Sequence, residues 1–555
     1  MIFFLTLRKI TQEVKQYLKK LEEQIHTRPD VQAFCDYGGA SYTFADVASA
    51  IELYHIFFAA AGIRKGQKIA LCAGSSARWA IAFFAVNTYG AVIVPILPNF
   101  TPEGISQLTN HSDSILLITE PDIWKKMDPA ATPALKGVIS AKADNLLWGN
   151  EKVKSAWNSR KKLFAELYPE GLDPQSVEYD LDNPMDLAII NYTSGTSGDP
   201  KGVMLTYNAM SDIVEYCQQH ISSEPDRIVS NLPLAHMYGL GIEFVYPCCT
   251  GYTIYFLGRV PSPSLLLEAI KTVKPSLFIT VPLIIEKLYG SLIAPQLKTR
   301  SAKALTSVPG LRLAFYNSLG KQIMQELGGR LKMIIVGGAP LSFQVESNLH
   351  KLGIPCVVGY GMTEACPLIC FEGPDGYVAG SCGKPIHKVR ITSPDPERIP
   401  GEIQTKGPNL FIGYYKNPQA DLDSRTYDGW FRTGDLGIMD EDGNVFIRGR
   451  IKALILSASG QNIYPEEVEQ VISRNEHVQE CLVLSKNGKI VALVYPKPAS
   501  AETLTSEEAH STMAESIKNL ANEALPQFSQ IASVEIVDVP FERTAKGSIK
   551  RHLYQ

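Results

Sequence analysis

The chain has 555 residues, 45% of them hydrophobic and 20% charged, with 53 Lys and Arg against 57 Asp and Glu for a net charge of −4. That length exceeds what one hydrophobic core organises, so two or more domains are expected. The ordinary composition and slightly acidic balance give no case for a nucleic-acid surface.

In the opening MIFFLTLRKI the apolar stretch is only a few residues long and the basic residues follow it, which makes a poor secretory signal. Apolar strand-like runs then recur between helical patterns: KIALCAG near Lys68, AVIVPIL near Ala91, SILLIT near Ser114, LAII at Leu187–Ile190 and KMIIVGG near Lys332. This alternation predicts an α/β fold with largely parallel sheets. The uncharged run Trp79–Leu97 approaches the length of a membrane span, but Asn87, Thr88, Tyr89 and Gly90 divide it. Its first half is expected to be a helix ending at Gly90, its second a buried strand. Ala141–Asp182 is polar and irregular and is expected to cross the surface as helix and loop.

From about Ile386 short strand-like pieces such as GEIQTKG and GNVFIRGR predict a small β-rich subdomain. Beyond Arg450, Tyr464-Pro465 leads into Glu466-Glu467 as a helix start. Strands in ECLVLSKNGKIVALVYP, a helix from Ser506 to Ala524 and a strand in VEIVDVP follow. The expected architecture is an α/β N-terminal domain over residues 1–450, built of stacked α/β subdomains plus the β-rich piece. A small α+β C-terminal domain takes residues 451–555. The ten cysteines show no CxxC pair and no zinc-like spacing, which points to reduced, mostly buried thiols in a cytosolic protein.

The chemistry is concentrated in five segments. YTSGTSGDPKG, Tyr192–Gly202, places three glycines, four aliphatic hydroxyls and one lysine after a buried strand. Backbone amides and hydroxyls in such a loop can ring a phosphate, with Lys201 as a point charge. It is not a Walker A loop, because Asp199-Pro200 separate Gly198 from Lys201 and Gly202 follows the lysine. VVGYGMTEACP, Val357–Pro367, is expected to be a glycine turn that exposes Tyr360, Thr363 and Glu364. A carboxylate near a polyphosphate is what Mg2+ uses. VGGAPLS, Val336–Ser342, offers open backbone to a planar base. GWFRTGDLG, Gly429–Gly437, presents Asp435 as a partner for a ribose diol. The fifth segment carries Arg450 and Lys452 at the domain junction.

In their order and approximate spacing these segments resemble the adenylate-forming, AMP-binding superfamily, from about Tyr42 to Tyr554. Within it the stretch NLPLAHMYGLGIEF and the ending IKRHLY are similar to bacterial long-chain-fatty-acid CoA ligases. The resemblance implies ATP-dependent conversion of a fatty acid to acyl-AMP with release of pyrophosphate, then thioester formation with CoA. ATP and CoA would be co-substrates and Mg2+ the metal. It implies that Thr193, Ser194, Gly195, Thr196 and Lys201 hold the β- and γ-phosphates, that Thr363 meets the α-phosphate and that Glu364 meets Mg2+. Gly338, Ala339 and Tyr360 would line the adenine, Asp435 and Arg450 the ribose, and His236 would sit beside the acyl carboxylate. Lys452 would be the hinge about which a mobile C-terminal domain rotates, and Ser459, Gly460 and Gln461 would line the CoA tunnel.

One position departs. The family motif P-K-T-x-x-G-K-[IV] ends in a lysine that reaches the acyl carboxylate and the α-phosphate. Here ERTAKGSIKR, Glu542–Arg551, has Ser548 in that place. A serine cannot neutralise charge developing on phosphate, so Lys546 or Lys550, two residues to either side, is a candidate substitute. Two alternatives stay open: transfer to the phosphopantetheine arm of an acyl-carrier protein, or a degenerate chain that only binds nucleotide or acyl-adenylate. The expected location is cytoplasmic, and peripheral contact with the inner membrane face suits an apolar substrate.

Overall fold

The uncharged run Trp79–Leu97 divides as expected in the computed structural model of the protein, which describes residues 16–194, 200–221, 226–258, 262–456, 462–486, 488–501, 506–543 and 549–554. Ser76 caps helix Ala77–Thr88 by accepting from the Trp79 amide, and strand Val92–Pro95 follows. Ten of the twelve helical residues are buried. The helix packs against strand Gln32–Asp36 of one sheet and strands Lys68–Cys72 and Val92–Pro95 of another. A helix set between two sheets has no solvent face, which is why it reads as apolar all round. Phe83 and Phe84 lie 5.4 and 5.1 Å from Phe244, and Phe34 lies 6.0 Å from it. Such ring pairs add about 0.5–1.5 kcal/mol each beyond the area they bury.

The chain forms two compact units. The first comprises Met1–Leu341, Val345–Ala379 and Gly407–Asp423; the second comprises Ser342–Gln344, Gly380–Lys406 and Ser424–Gln555. The first unit holds two large sheets. One is eight-stranded, in the order Gly413–Tyr414, Pro200–Thr206, Leu187–Ser194, Val92–Pro95, Lys68–Cys72, Ser114–Thr119, Gly137–Ser140, Leu146–Gly149. Its central strands pair in parallel and its two edges antiparallel. The other is seven-stranded, in the order Cys356–Val358, Met333–Val336, Leu277–Thr280, Arg227–Ser230, Thr253–Phe256, Gln32–Asp36, Ser41–Thr43. It is parallel except for its last pair. Helix Glu151–Leu167 fills the polar stretch expected to run as helix and loop. Helix Phe44–Ala61 is long and apolar enough, by length and composition, to cross a membrane. It packs against helices Glu151–Leu167 and Ala77–Thr88.

The second unit holds an antiparallel sheet of Lys388–Thr392, Gly401–Lys406, Phe431–Met439 and Val445–Arg450. It also holds a three-stranded sheet of Val478–Lys486, Lys489–Pro496 and Ser533–Ile536. Helices Pro465–Ile472 and Glu507–Ala524 cover that sheet around Val468, Ile472, Val483, Ala492, Val494 and Ile517. The expected helix starts are present: Tyr464 precedes Pro465, and Ser506 accepts from the Ala509 amide.

Candidate functional site

The phosphate segment is the head of a β-hairpin. Strand Leu187–Ser194 runs up beside Val92–Pro95, and Pro200–Thr206 returns antiparallel to it, with Thr193 opposite Lys201. Lys201 therefore belongs to a strand rather than to the loop expected from its glycines. Its root is fixed by pairing on the sheet. The side chain of Ser194, and Gly195 and Thr196 entire, lie outside the described residues. Beyond Lys201, the two-residue strand Gly413–Tyr414 adds to the same edge, with Tyr414 opposite Val203.

That edge strand links the lysine to the acid. The Lys201 ammonium lies 5.0 Å from the centre of the Tyr414 ring. The Tyr414 hydroxyl donates to Oε1 of Glu364 at 2.9 Å. One tyrosine thus carries the cation on its face and holds the carboxylate with its tip. The expectation that the glycine turn exposes Tyr360, Thr363 and Glu364 is corrected here. Tyr360 is half-buried on the short strand Tyr360–Gly361, while Thr363 and Glu364 are 6% and 7% exposed in a tight turn, Thr363–Ala365. The turn is tucked in because its carbonyls find main-chain and amide donors. The Phe411 amide bonds the Glu364 carbonyl at 2.8 Å, and Asn409 Nδ2 bonds the carbonyls of Ala365 and Leu368 at 3.0 and 2.8 Å. Gly361 cannot be replaced cheaply, since a Cβ there would stand 1.8 Å from the Pro367 carbonyl oxygen. Cys366, two residues beyond Glu364, is fully buried, and burial pushes its thiol well up.

His236 enters from the seven-stranded sheet. After strand Arg227–Ser230 the chain passes through Asn231–Ala235, and a buried carboxylate holds that passage. Glu243 accepts from Ser230 Oγ at 2.9 Å, from the Asn231 amide and side chain at 2.9 and 2.7 Å, and from the Leu232 amide at 3.0 Å. Burial pushes the Glu243 carboxyl up to about 8, against the downward pull of those donors. Asn191 Nδ2, on the hairpin strand, donates to the Ala235 carbonyl at 3.0 Å. The Tyr238 amide donates to His236 Nδ1 at 3.3 Å, which leaves Nε2 to carry the proton of the neutral ring. A Cβ on Gly241 would stand 3.0 Å from Pro367, so the segment after His236 lies against the turn that bears Glu364. The first unit thus gathers Thr193, Lys201, His236, Thr363 and Glu364.

Gly338 has φ of +84°, a backbone that favours glycine, and Gly338 and Ala339 are exposed. Gly337 lies against the Tyr238 ring, where an added Cβ would meet Cζ at 3.1 Å.

In the second unit Asp435 and Arg450 stand opposite each other on antiparallel strands. Arg450 Nε lies 3.0 Å from Asp435 Oδ1; Asp435 is 5% exposed, while the arginine side chain is 61% exposed. Lys452 is exposed in the turn Ile451–Ala453 that follows. Near the C-terminus Arg543 and Ile549 form an antiparallel bridge, and Lys550 Nζ lies 3.3 Å from Glu542 Oε2. Ser459, Gly460, Gln461, Lys546 and Ser548 lie outside the described residues.

Among the described residues no group of three or more His, Cys, Asp or Glu is arranged to hold a metal ion. A single ordered carboxylate such as Glu364 would suit a Mg2+ that arrives on nucleotide phosphates and keeps most of its waters.

Sequence reasoning missed Tyr414 and Asn409, which hold the acid, and Glu243, which holds the histidine passage. None lies in the five segments that carry the chemistry, and no spacing marks them; the one available signal was Glu243, a charged residue inside an otherwise apolar run.

Comparison with known proteins agrees with this arrangement. Residues 21–415 match the AMP-binding enzyme family, and residues 452–555 match the AMP-binding enzyme C-terminal domain. A chloroplastic long-chain-fatty-acid–[acyl-carrier-protein] ligase of Arabidopsis thaliana is 26% identical over 571 residues, covering 86% of this chain and 76% of that protein. Long-chain-fatty-acid–CoA ligase 1 of Homo sapiens is 29% identical over 474 residues, covering 79% of this chain and 66% of that protein. The chain therefore spans about two-thirds to three-quarters of these relatives' lengths. Among solved structures, ATP-bound MatB from Rhodopseudomonas palustris superposes with a TM-score of 0.75 at 22% identity, covering 97% of this chain and 98% of that one. The anthranilate CoA ligase AuaEII with anthranoyl-AMP gives 0.77 at 20% identity, covering 97% and 96%. With the first match running through the hairpin, the histidine passage and the Glu364 turn, the chain belongs to the AMP-binding enzyme family.

Proposed function

We propose that the chain activates a fatty acid with ATP and passes the acyl group to the thiol of CoA. In the first step a carboxylate oxygen bonds to the α-phosphorus of ATP, the bond to the β-phosphate oxygen breaks, and pyrophosphate leaves. In the second the CoA thiolate bonds to the acyl carbon, and AMP departs with the oxygen it received. Such phosphoryl chemistry depends mostly on positioning and charge stabilisation. The observation that carries the reading is the Lys201–Tyr414–Glu364 linkage beside His236: a cation on the sheet edge for phosphate oxygens, and an ordered carboxylate held to that edge through the Tyr414 hydroxyl. Glu364 would hold Mg2+, which would neutralise charge on the phosphates. Lys201 would bind the β- and γ-phosphates, and His236 would face the acyl carboxylate with Nε2–H.

The fatty-acid assignment is supported by the long-chain ligases among the relatives, and chain length is left to assay. The acceptor has a second reading, an acyl-carrier protein, favoured by the Arabidopsis relative whose name specifies that acceptor. We place the enzyme in the cytoplasm. The test is pyrophosphate release across a panel of carboxylic acids, with mass analysis of products formed with CoA or with holo-carrier protein. Release driven by fatty acids, followed by acyl-CoA, supports the proposal. Release only with short or aromatic acids refutes the fatty-acid assignment, and acyl-carrier product alone moves the acceptor.

A further inference from the structure

Exposed apolar side chains gather in one stretch of the first unit. Leu283, Leu305, Val308, Leu311 and Leu313 are 36–64% exposed and make up five of the twenty large exposed hydrophobic residues among those described. The last four sit on a pair of helices and the joint between them. Thr299 caps helix Arg300–Ser307, whose one buried residue is Ala302. Pro309 forces Val308 into extended backbone, which ends that helix and begins Pro309–Glu326. In the second helix only Leu319, Gly320 and Ile323 are buried, while Phe315 and Tyr316 rest partly on the core. Its later turns are thus anchored, and its first turns carry Leu311 and Leu313 into solvent.

The same stretch is basic. From Lys287 to Gln325 there are six Lys and Arg and no Asp or Glu, in a chain whose net charge is −4. Lys298, Arg300, Lys303 and Arg312 are exposed, and none is ion-paired among the described residues. A soluble surface alternates signs and hides leucine; exposed leucines flanked by unpaired cations are the composition of a segment that lies in a lipid headgroup layer. The stretch also continues from the acyl side of the site. It follows strand Leu277–Thr280, and the Thr280 carbonyl accepts from the hydroxyl of Tyr238, whose amide binds His236.

We propose that helices Arg300–Ser307 and Pro309–Glu326 form a docking surface for an anionic lipid bilayer, the cations meeting phosphate headgroups and Leu305, Val308, Leu311 and Leu313 entering the acyl boundary. This rests on the fatty-acid reading above, since a bilayer is where such a substrate accumulates. An acidic protein would answer the cations alone; a bilayer answers both the charge and the apolar side chains.

The test is sedimentation of the full chain with vesicles of phosphatidylcholine, with and without about a third of phosphatidylglycerol. The parent should sediment with the anionic vesicles, less so as salt rises, and stay in solution with the neutral ones. Neutralising two cations in Lys303→Gln/Arg312→Gln should lower partitioning about 25-fold. Leu311→Ser/Leu313→Ser should lower it about tenfold. Pyrophosphate release with a soluble medium-chain acid should be the same in all three proteins. A parent that ignores anionic vesicles, or variants that sediment as the parent does, overturns the proposal. So does finding that the variants lose self-association, or binding to an acidic holo-carrier protein, while keeping the vesicles. Because sedimentation needs no turnover, intact vesicle binding without pyrophosphate release would instead count against the proposed reaction.

Discussion

Replacing Tyr414 by phenylalanine separates the two tasks of that residue. The ring that faces Lys201 at 5.0 Å remains, while the hydroxyl that holds Glu364 Oε1 at 2.9 Å is lost. With Glu364 only 7% exposed, little water can take the hydroxyl's place. A hydrogen bond to a charged acceptor is worth about 1.5–3 kcal/mol, so a loss felt wholly in the site lowers kcat/KM for ATP about 10- to 150-fold. Tyr414→Leu should lose roughly a further two- to fivefold as the cation's platform goes. The assay is ATP–pyrophosphate exchange over a series of Mg2+ concentrations, with thermal melts alongside. A positioning role requires the Mg2+ requirement of Tyr414→Phe to rise; mere loss of folded protein lowers the amplitude and leaves that requirement where it was. Exchange at the parent rate with an unchanged Mg2+ requirement refutes the linkage.

Lys201→Ala and Glu364→Ala should each cut pyrophosphate release by orders of magnitude, roughly a hundredfold or more, with melting curves that still report a cooperative fold. Lys452→Pro restricts φ in the turn Ile451–Ala453 and should spare acyl-adenylate formation while thioester output collapses, read by separate half-reaction assays. The double variant Lys546→Ala/Lys550→Ala should lose exchange yet retain thioester formation from synthetic acyl-AMP; exchange at the parent rate would remove both lysines from the role left vacant at Ser548. For Glu243, burial raises the folded carboxyl from 4.5 to about 8, so the native state keeps a proton that the unfolded chain releases. Its contribution to stability is complete below about 4.5 and is lost as pH rises through about 8; Tm measured across that window should fall, and Glu243→Gln should melt lower throughout but with a flatter slope.

What the sequence disclosed and what it withheld follow from the range of the interactions. The glycine, hydroxyl and lysine spacing of Tyr192–Gly202 is local chemistry, and it located the hairpin. It could not show that Lys201 is on a strand, because that depends on Leu187–Ser194 and on Gly413–Tyr414, which is more than two hundred residues away. Strands such as Leu277–Thr280 and Thr253–Phe256 are four residues long and are strands by virtue of their neighbours, so no periodicity marked them. The turn Thr363–Ala365 was legible as a glycine turn, but its burial depends on Asn409 and Phe411, so exposure was the wrong expectation. Trp79–Leu97 was the converse case: Gly90 and the polar residues before it were enough to divide helix from strand, whatever packed around them.

All ten cysteines are free and buried, and burial raises the thiols of Cys72 and Cys356 to about 12 and that of Cys366 further. An acyl-adenylate is a strong electrophile, and any thiolate of the enzyme itself within reach of it would be acylated in place of the acceptor. Cys366 is the sharpest case, two residues from Glu364 along the chain, yet it has neither the exposure nor the ionisation to compete. The protein can therefore hold a reactive acyl group between the two steps without labelling itself, and the thiolate that intermediate meets is the one the acceptor brings.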